Sequence, residues 1–313
     1  MVRAAPRTVS TPPPAAGKAV RPEQTRARYP DLEGIAERDG GRIGYEVYGR
    51  GDPTIMFVPP WSIVHSRIWK AQIPDFARRH RVIAWDARGN GRSDRPREPE
   101  AHNDEALAAD LLAVLDATHT DSAVLVGLSG AAVPAIIAAS EHPERILGLV
   151  LVSPSVPLGR RRTERVVPFD EVLDTEEGWA KHNIHFWRRD FTSYLEFFFG
   201  EAFNEPHSTK SIEDAVGYGQ STDPETLGST IYGTGPGADA FLAMCRLLRC
   251  PALVIHGDCD HISDVSRGIE LSAAIPGARL ELLHGSGHCP NARDPVRVNL
   301  LIREFIRSLR ALP

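Results

Sequence analysis

Short apolar runs alternate with segments of helical periodicity through most of the chain. Seven such runs stand out from about residue 41 onward: RIGYEVYG, TIMFVPP, RVIAWD, SAVLVG, ILGLVLVS, PALVIHG and ARLELLHG. Apolar runs of this length, separated by helical segments, are typical of a mostly parallel sheet covered by helices. The pattern therefore predicts an α/β fold.

The alternation stops between about residues 155 and 240. This region carries a basic run, then a helical stretch with clustered aromatic residues, then a polar stretch rich in Gly, Ser and Thr, after which strand signals resume. An insertion at this point would cover the end of the sheet where ligands bind. We therefore predict a helical cap, or lid, over residues 156–240, with the core formed by residues 31–155 and 241–313.

The first thirty residues differ from the rest in composition and charge. They contain six prolines and few large aliphatic side chains, which predicts a disordered tail over residues 1–30. Six Lys and Arg against one Glu give the tail a charge of +5, so the overall charge of −5 leaves −10 on residues 31–313. An acidic body repels a polyanion, which argues against a nucleic-acid partner.

The cysteines and the N-terminus bear on the cellular compartment. Cys245, Cys250, Cys259 and Cys289 show no paired metal-binding spacing and suit reduced thiols. The N-terminus lacks the apolar centre of a secretory signal, and the uncharged stretch 122–140 is interrupted by Gly and Pro. We therefore expect a cytoplasmic protein without a membrane partner.

The segment VLVGLSGAAVPAII carries the strongest chemical signal. Ser129 lies between a Val-rich run and an Ala-rich run, and a sharp strand-to-helix turn there needs small neighbours, which Gly127 and Gly130 provide. The usual pattern, G-x-S-x-G, has glycine where this chain has Ala131. By itself the motif also fits a tight turn with a solvated serine.

A nucleophilic serine needs a base and an acid to orient that base, and both candidates follow later in the chain. Asp260 comes just after the run PALVIHG and His288 just after ARLELLHG, at strand ends that face the ligand. Asp258 and His284 are the rival candidates. The turn after Gly257 favours Asp260, and the glycine-rich loop favours His288.

At these residues the chain resembles the α/β-hydrolase superfamily over nearly all of residues 41–313. Residues 86–93 read DARGNGRS and are similar to the family's D-x-R-G-x-G-x-S turn. The resemblance implies an α/β-hydrolase fold with an eight-stranded type of sheet. It also implies structural roles for Asp86 and Arg88 in bracing that turn.

The chain departs from the family at the oxyanion-binding loop. Residues 59–62 read PPWS where most members have His-Gly, and proline has no N–H to donate. The N–H of Trp61 or Ser62 is expected to bind the oxyanion together with that of Gly130. Alternatively, the Trp61 side chain forms part of the pocket wall or packs in the core.

The cap sequence is dense in aromatic residues. Residues 179–203 hold nine of the 22 aromatic residues, which predicts a dry pocket, and we expect Trp187, Phe191 and Phe198 to line it. Most of the nine would instead dock the cap on the core. Arg160–Arg162 and Arg165 would attract an anionic substrate group, or form a solvated basic stretch.

These observations predict a serine hydrolase that cleaves an ester, thioester or lactone through an acyl-enzyme. Carbon–carbon hydrolysis and acyl transfer use the same triad, and a non-hydrolytic cyclase or ligand-binding protein would reuse the fold. The expected partner is a small molecule with an apolar or aromatic group. No cofactor is expected, and no metal either, since His182 and His185 lack a third ligand. The sequence carries no signal for an oligomeric state.

Overall fold

The computed structural model describes residues 28–309, so the predicted tail lies outside the described residues except for 28–30. A sheet crosses this part of the chain. Its strands are β1 (Leu32–Arg38), β2 (Gly41–Tyr48), β3 (Ile55–Val58), β4 (Val82–Trp85), β5 (Ala123–Leu128), β6 (Ile146–Val152), β7 (Ala252–Gly257) and β8 (Arg279–Leu283). Their spatial order is β1-β2-β4-β3-β5-β6-β7-β8.

Only β2 runs against its neighbours, because it pairs antiparallel with β1 and β4 while all other described pairs are parallel. The predicted α/β fold with a mostly parallel, eight-stranded sheet is thus confirmed. The sequence pattern missed β1. This edge strand is half exposed, and it lacks the continuous apolar run that marks the central strands.

Helices cover both faces of the sheet. They are α1 (Ile73–Phe76), α2 (Asp104–Ala117), α3 (Ala132–Glu141), α4 (Ile184–Ala202), α5 (Thr209–Gly219), α6 (Pro224–Ser229), α7 (Ala238–Leu247), α8 (Ser266–Ala274), α9 (Pro290–Arg293) and α10 (Pro295–Leu309). Successive side chains of a strand point to opposite faces, so Ile55 and Phe57 enter one apolar cluster while Met56 and Val58 enter the other. Both faces are buried, which explains why the central strands are apolar throughout.

The insertion between β6 and β7 contains α4, α5 and α6, and α4 packs against both of the others. The predicted cap, 156–240, spans these three helices. The next helix, α7, begins at Ala238 and packs against α3, which follows Ser129 directly. The insertion therefore returns to the core at α7.

Candidate active site

Ser129 occupies the sharp turn between β5 and α3. Its φ of +56° lies in the left-handed region, which a residue with a Cβ adopts only under strain. A Cβ placed on Gly127 would lie 3.0 Å from the Cβ of Ala131, so the turn tolerates alanine at 131 because Gly127 has no side chain. The departure from G-x-S-x-G is thus compatible with a tight turn.

Asp260 and His288 meet where β7 and β8 end. The Nδ1 atom of His288 lies 2.7 Å from Oδ2 of Asp260, and both side chains are buried. The other carboxylate oxygen, Oδ1, accepts the N–H groups of Ile262 at 2.7 Å and Ser263 at 2.8 Å. These bonds fix the carboxylate, and the carboxylate in turn fixes the imidazole.

The two rival residues pair with each other instead. Nδ1 of His284 lies 2.8 Å from Oδ2 of Asp258, and the His284 side chain is 87% exposed. The geometry therefore supports Asp260 and His288 over Asp258 and His284.

A second histidine contacts Asp260. Nε2 of His256 lies 3.2 Å from Oδ2 of Asp260 and 3.1 Å from the carbonyl oxygen of Ser263. Because both neighbours are acceptors, we assign the proton of the neutral ring to Nε2. Sequence reasoning missed this residue, although a histidine inside the wholly buried strand β7 is a detectable signal.

The surroundings of Asp260 favour its ionised form. Burial alone would raise the pKa of this carboxyl, but the electrostatic interaction with His288 and the hydrogen bonds from His256 and His288 outweigh burial. The pKa of Asp260 therefore lies well below its usual range. The carboxylate is held as an anion throughout the neutral pH range.

A cavity of about 170 Å³ brings several of the predicted residues together. Its wall includes Ser129, Gly130, Trp61, His288, Phe198 and Arg165. The remaining wall is mostly aliphatic or aromatic. A small molecule in this cavity would touch the serine and the histidine at once.

The loop 59–62 carries the two oxyanion candidates, the N–H groups of Trp61 and Ser62, and neither donates to a backbone acceptor among the described residues. A Cβ on Gly130 would lie 3.8 Å from the backbone nitrogen of Trp61, and that N–H donates to no acceptor among the described residues. The Trp61 indole donates to Oγ1 of Thr230 at 2.6 Å, which ties the loop to the insertion. Ser62 lines a neighbouring cavity of about 150 Å³, and its hydroxyl donates to the carbonyl of Arg88 at 2.7 Å.

The three cap aromatics expected in the pocket occupy different places. Phe198 lines the cavity, whereas Trp187 and Phe191 are absent from its wall as the described residues form it. The centre of the Trp187 ring lies 4.5 Å from that of Tyr194 and 4.9 Å from that of Phe169, and the centre of the Phe191 ring lies 6.0 Å from that of Trp187. These rings belong to, or pack against, the apolar cluster that also covers one face of the sheet, so they dock the insertion on the core.

The DARGNGRS turn is braced as the resemblance implies. Asp86 accepts the N–H groups of Ser66 at 2.9 Å and Arg92 at 3.0 Å, and Arg88 forms two bonds of 2.7 and 2.9 Å to Asp110. The turn lies next to the loop 59–62, since the Arg88 carbonyl receives the Ser62 hydroxyl. The turn and the loop 59–62 are thus joined by a hydrogen bond.

Metal and membrane features were searched within residues 28–309. No group of three metal-ligating side chains occurs there. His182 lies 2.9 Å from the Tyr194 hydroxyl, while His185 lies 2.9 Å from the carbonyl of Asp170, so the two rings contact different groups. None of the helices in this part of the chain is long and apolar enough to cross a membrane.

Comparison with known proteins identifies relatives of this arrangement. A family model for the alpha/beta hydrolase fold matches residues 53–295. A non-heme haloperoxidase of Rhodococcus erythropolis is 28% identical and covers 88% of this chain and 99% of its own length. An esterase structure from Rhodococcus sp. ECU1013 has a TM-score of 0.74 at 27% identity, covering 89% of this chain and 98% of that chain. The structure of Est816, an N-acyl homoserine lactone degrading enzyme, has a TM-score of 0.71 at 27% identity, with 87% and 100% covered.

Proposed function

Because the chain belongs to the alpha/beta hydrolase fold family, we propose that it is a serine hydrolase that cleaves an ester, thioester or lactone of a small, largely apolar substrate. One observation carries the proposal: Ser129 on its strained turn and His288, whose ring is hydrogen-bonded to Asp260, line the same cavity. The esterase and the lactone-degrading enzyme among the similar structures support the same class of reaction.

The proposed mechanism depends on which nitrogen of the His288 ring carries the proton. Nδ1 of His288 donates to Asp260, which leaves Nε2 unprotonated and able to accept the Ser129 proton. The Ser129 oxygen then attacks the substrate carbonyl, and the N–H groups of Gly130 and Trp61 bind the oxyanion. The protonated His288 returns the proton to the departing alcohol, thiol or lactone oxygen. Water, deprotonated by His288, finally hydrolyses the acyl-enzyme.

The proposal is tested with a fluorophosphonate probe, which forms a covalent phosphonyl adduct with an activated serine. We expect stoichiometric labelling of the folded protein, with the added mass on the tryptic peptide that contains Ser129. Heat-denatured protein is the control, because activation requires the folded site. A folded protein that does not react, or reacts at another residue, would contradict the proposal.

His256 is expected to act as a positioning residue for this reaction. Replacing His256 by Phe removes one donor from Asp260, so we expect kcat to fall about tenfold with little change in KM. Steady-state kinetics on p-nitrophenyl butyrate would measure kcat and KM separately.

Two further variants distinguish a positioning role of His256 from a role in packing alone. His256→Gln keeps a side-chain N–H donor and should recover part of the rate. His284→Phe is the matched control, because His284 is exposed and contacts Asp258 rather than Asp260. An unchanged kcat in His256→Phe, or a loss of rate that His256→Gln does not recover, would show that His256 only fills space.

A further inference from the structure

A positive charge lines the cavity that holds Ser129 and His288. Arg165 is part of its wall, and Nη1 of this residue donates to the carbonyl of Ile262. The guanidinium lies 4.6 Å from the centre of the Trp179 ring. Stacking on an aromatic face and a carbonyl bond together fix the orientation of the guanidinium plane.

The Arg165 guanidinium forms no salt bridge with an acid among the described residues. Its Nε atom is buried without a hydrogen-bond partner. Glu164, the adjacent acid, pairs with Arg162 at 3.1 Å, and Asp260 is engaged by the two histidines. Burial is the largest cause of the lowered pKa of Arg165; Tyr194 and Asp260 act to raise this pKa, and the positive charges of Arg267 and Arg162 act to lower it.

A guanidinium cannot shed its proton under these conditions, so a half-buried, unpaired arginine costs free energy that an anionic ligand would recover. A carboxylate matches the guanidinium in charge and in planar geometry. The other lining residues, among them Phe198, Ile262 and Ala202, suit an aliphatic chain.

We propose that the cavity binds a substrate with a carboxylate at the end of a short apolar chain, and that Arg165 binds this carboxylate while the ester carbonyl lies at Ser129. The inference refines the substrate class of the proposed hydrolase. It adds a carboxylate to the largely apolar substrate that the aromatic cap predicts, and it favours the anion-binding alternative for Arg165 over a solvated basic stretch.

Binding to the Ser129→Ala protein tests the inference without turnover. Monoethyl glutarate carries the carboxylate, and ethyl 5-methylhexanoate replaces it with an isopropyl group of similar shape. Calorimetric titration should show about ten- to hundredfold tighter binding of monoethyl glutarate. Equal affinities, or tighter binding of the neutral ester, would overturn the inference.

Variants at Arg165 assign the preference to this residue. In the Ser129→Ala background, Arg165→Met should abolish the preference and Arg165→Lys should retain part of it. Arg161→Met is the matched control, because Arg161 is exposed on the same segment and should leave the preference intact. A preference that survives Arg165→Met in a folded protein would also overturn the inference. The comparison of the two esters stands even if Arg165→Met fails to fold, because it uses the natural residue.

The outcomes separate this inference from the proposed function. Tight carboxylate binding without any hydrolysis by the wild-type protein would contradict the proposed hydrolase function and would still support the carboxylate site. Hydrolysis of both esters by the wild-type protein at equal kcat/KM would support the proposed hydrolase function and contradict the carboxylate site.

Discussion

Replacing Ser129 by Ala is expected to lower kcat for ester hydrolysis by at least about 10⁴-fold. The substitution removes the atom that attacks the carbonyl, and no other hydroxyl on the cavity wall, as the described residues form it, stands on a strained turn beside His288. The Cβ at position 129 stays, and with it the packing of the turn. Hydrolysis of p-nitrophenyl butyrate by wild-type and variant protein would measure the loss.

Ser140→Ala is the matched control for this substitution. Ser140 lies on α3, the helix that follows Ser129, but its hydroxyl donates to the Ile137 carbonyl at the far end of that helix. We expect its activity to match that of the wild type. A Ser129→Ala protein that keeps more than about one per cent of the wild-type rate would show that Ser129 is not the nucleophile.

The candidate residues that follow the strands can be predicted from the sequence alone. Chain order alone brings residues after β5, β7 and β8 to one edge of a parallel sheet, because the carboxyl ends of parallel strands lie together. Ser129, Asp260 and His288 each follow such a strand within a few residues. Their proximity is therefore a consequence of topology rather than of detailed packing.

The residues that sequence reasoning could not assign depend on packing in three dimensions. Trp61 lines both cavities while Ser62, its neighbour in sequence, lines only the smaller one among the described residues, a difference set by the path of one loop. Trp187 and Phe198 are both apolar and lie on one helix, yet of the two only Phe198 lines the cavity at Ser129, as the described residues form it. Arg165 belongs to a basic stretch whose other members face outward or pair elsewhere. Helix spacing and composition contain no information on these choices.

Replacing Asp260 by Asn is expected to lower kcat by about 10⁴-fold while leaving substrate binding nearly unchanged. The new side-chain amide at position 260 would donate to Nδ1 of His288 and so move the ring proton to Nε2, the atom that must accept the Ser129 proton. The wild-type carboxylate avoids this because its pKa lies well below the usual range. The same low pKa predicts that Asp260 contributes no ionisation to the wild-type rate profile between about pH 5 and pH 9.

Asp258→Asn provides the comparison that isolates the role of Asp260. Asp258 belongs to the same loop and also contacts a histidine, but its partner is the exposed His284 outside the cavity. We expect its kcat to stay within about twofold of the wild type, since neutralising an exposed carboxylate changes little at the cavity. If Asp258→Asn lost activity and Asp260→Asn kept it, the acid of the triad would be Asp258 and the turn after β7 would have to open during catalysis. If both variants lost it equally, loop stability rather than proton orientation would explain the effect, because both carboxylates hold backbone N–H groups in this region.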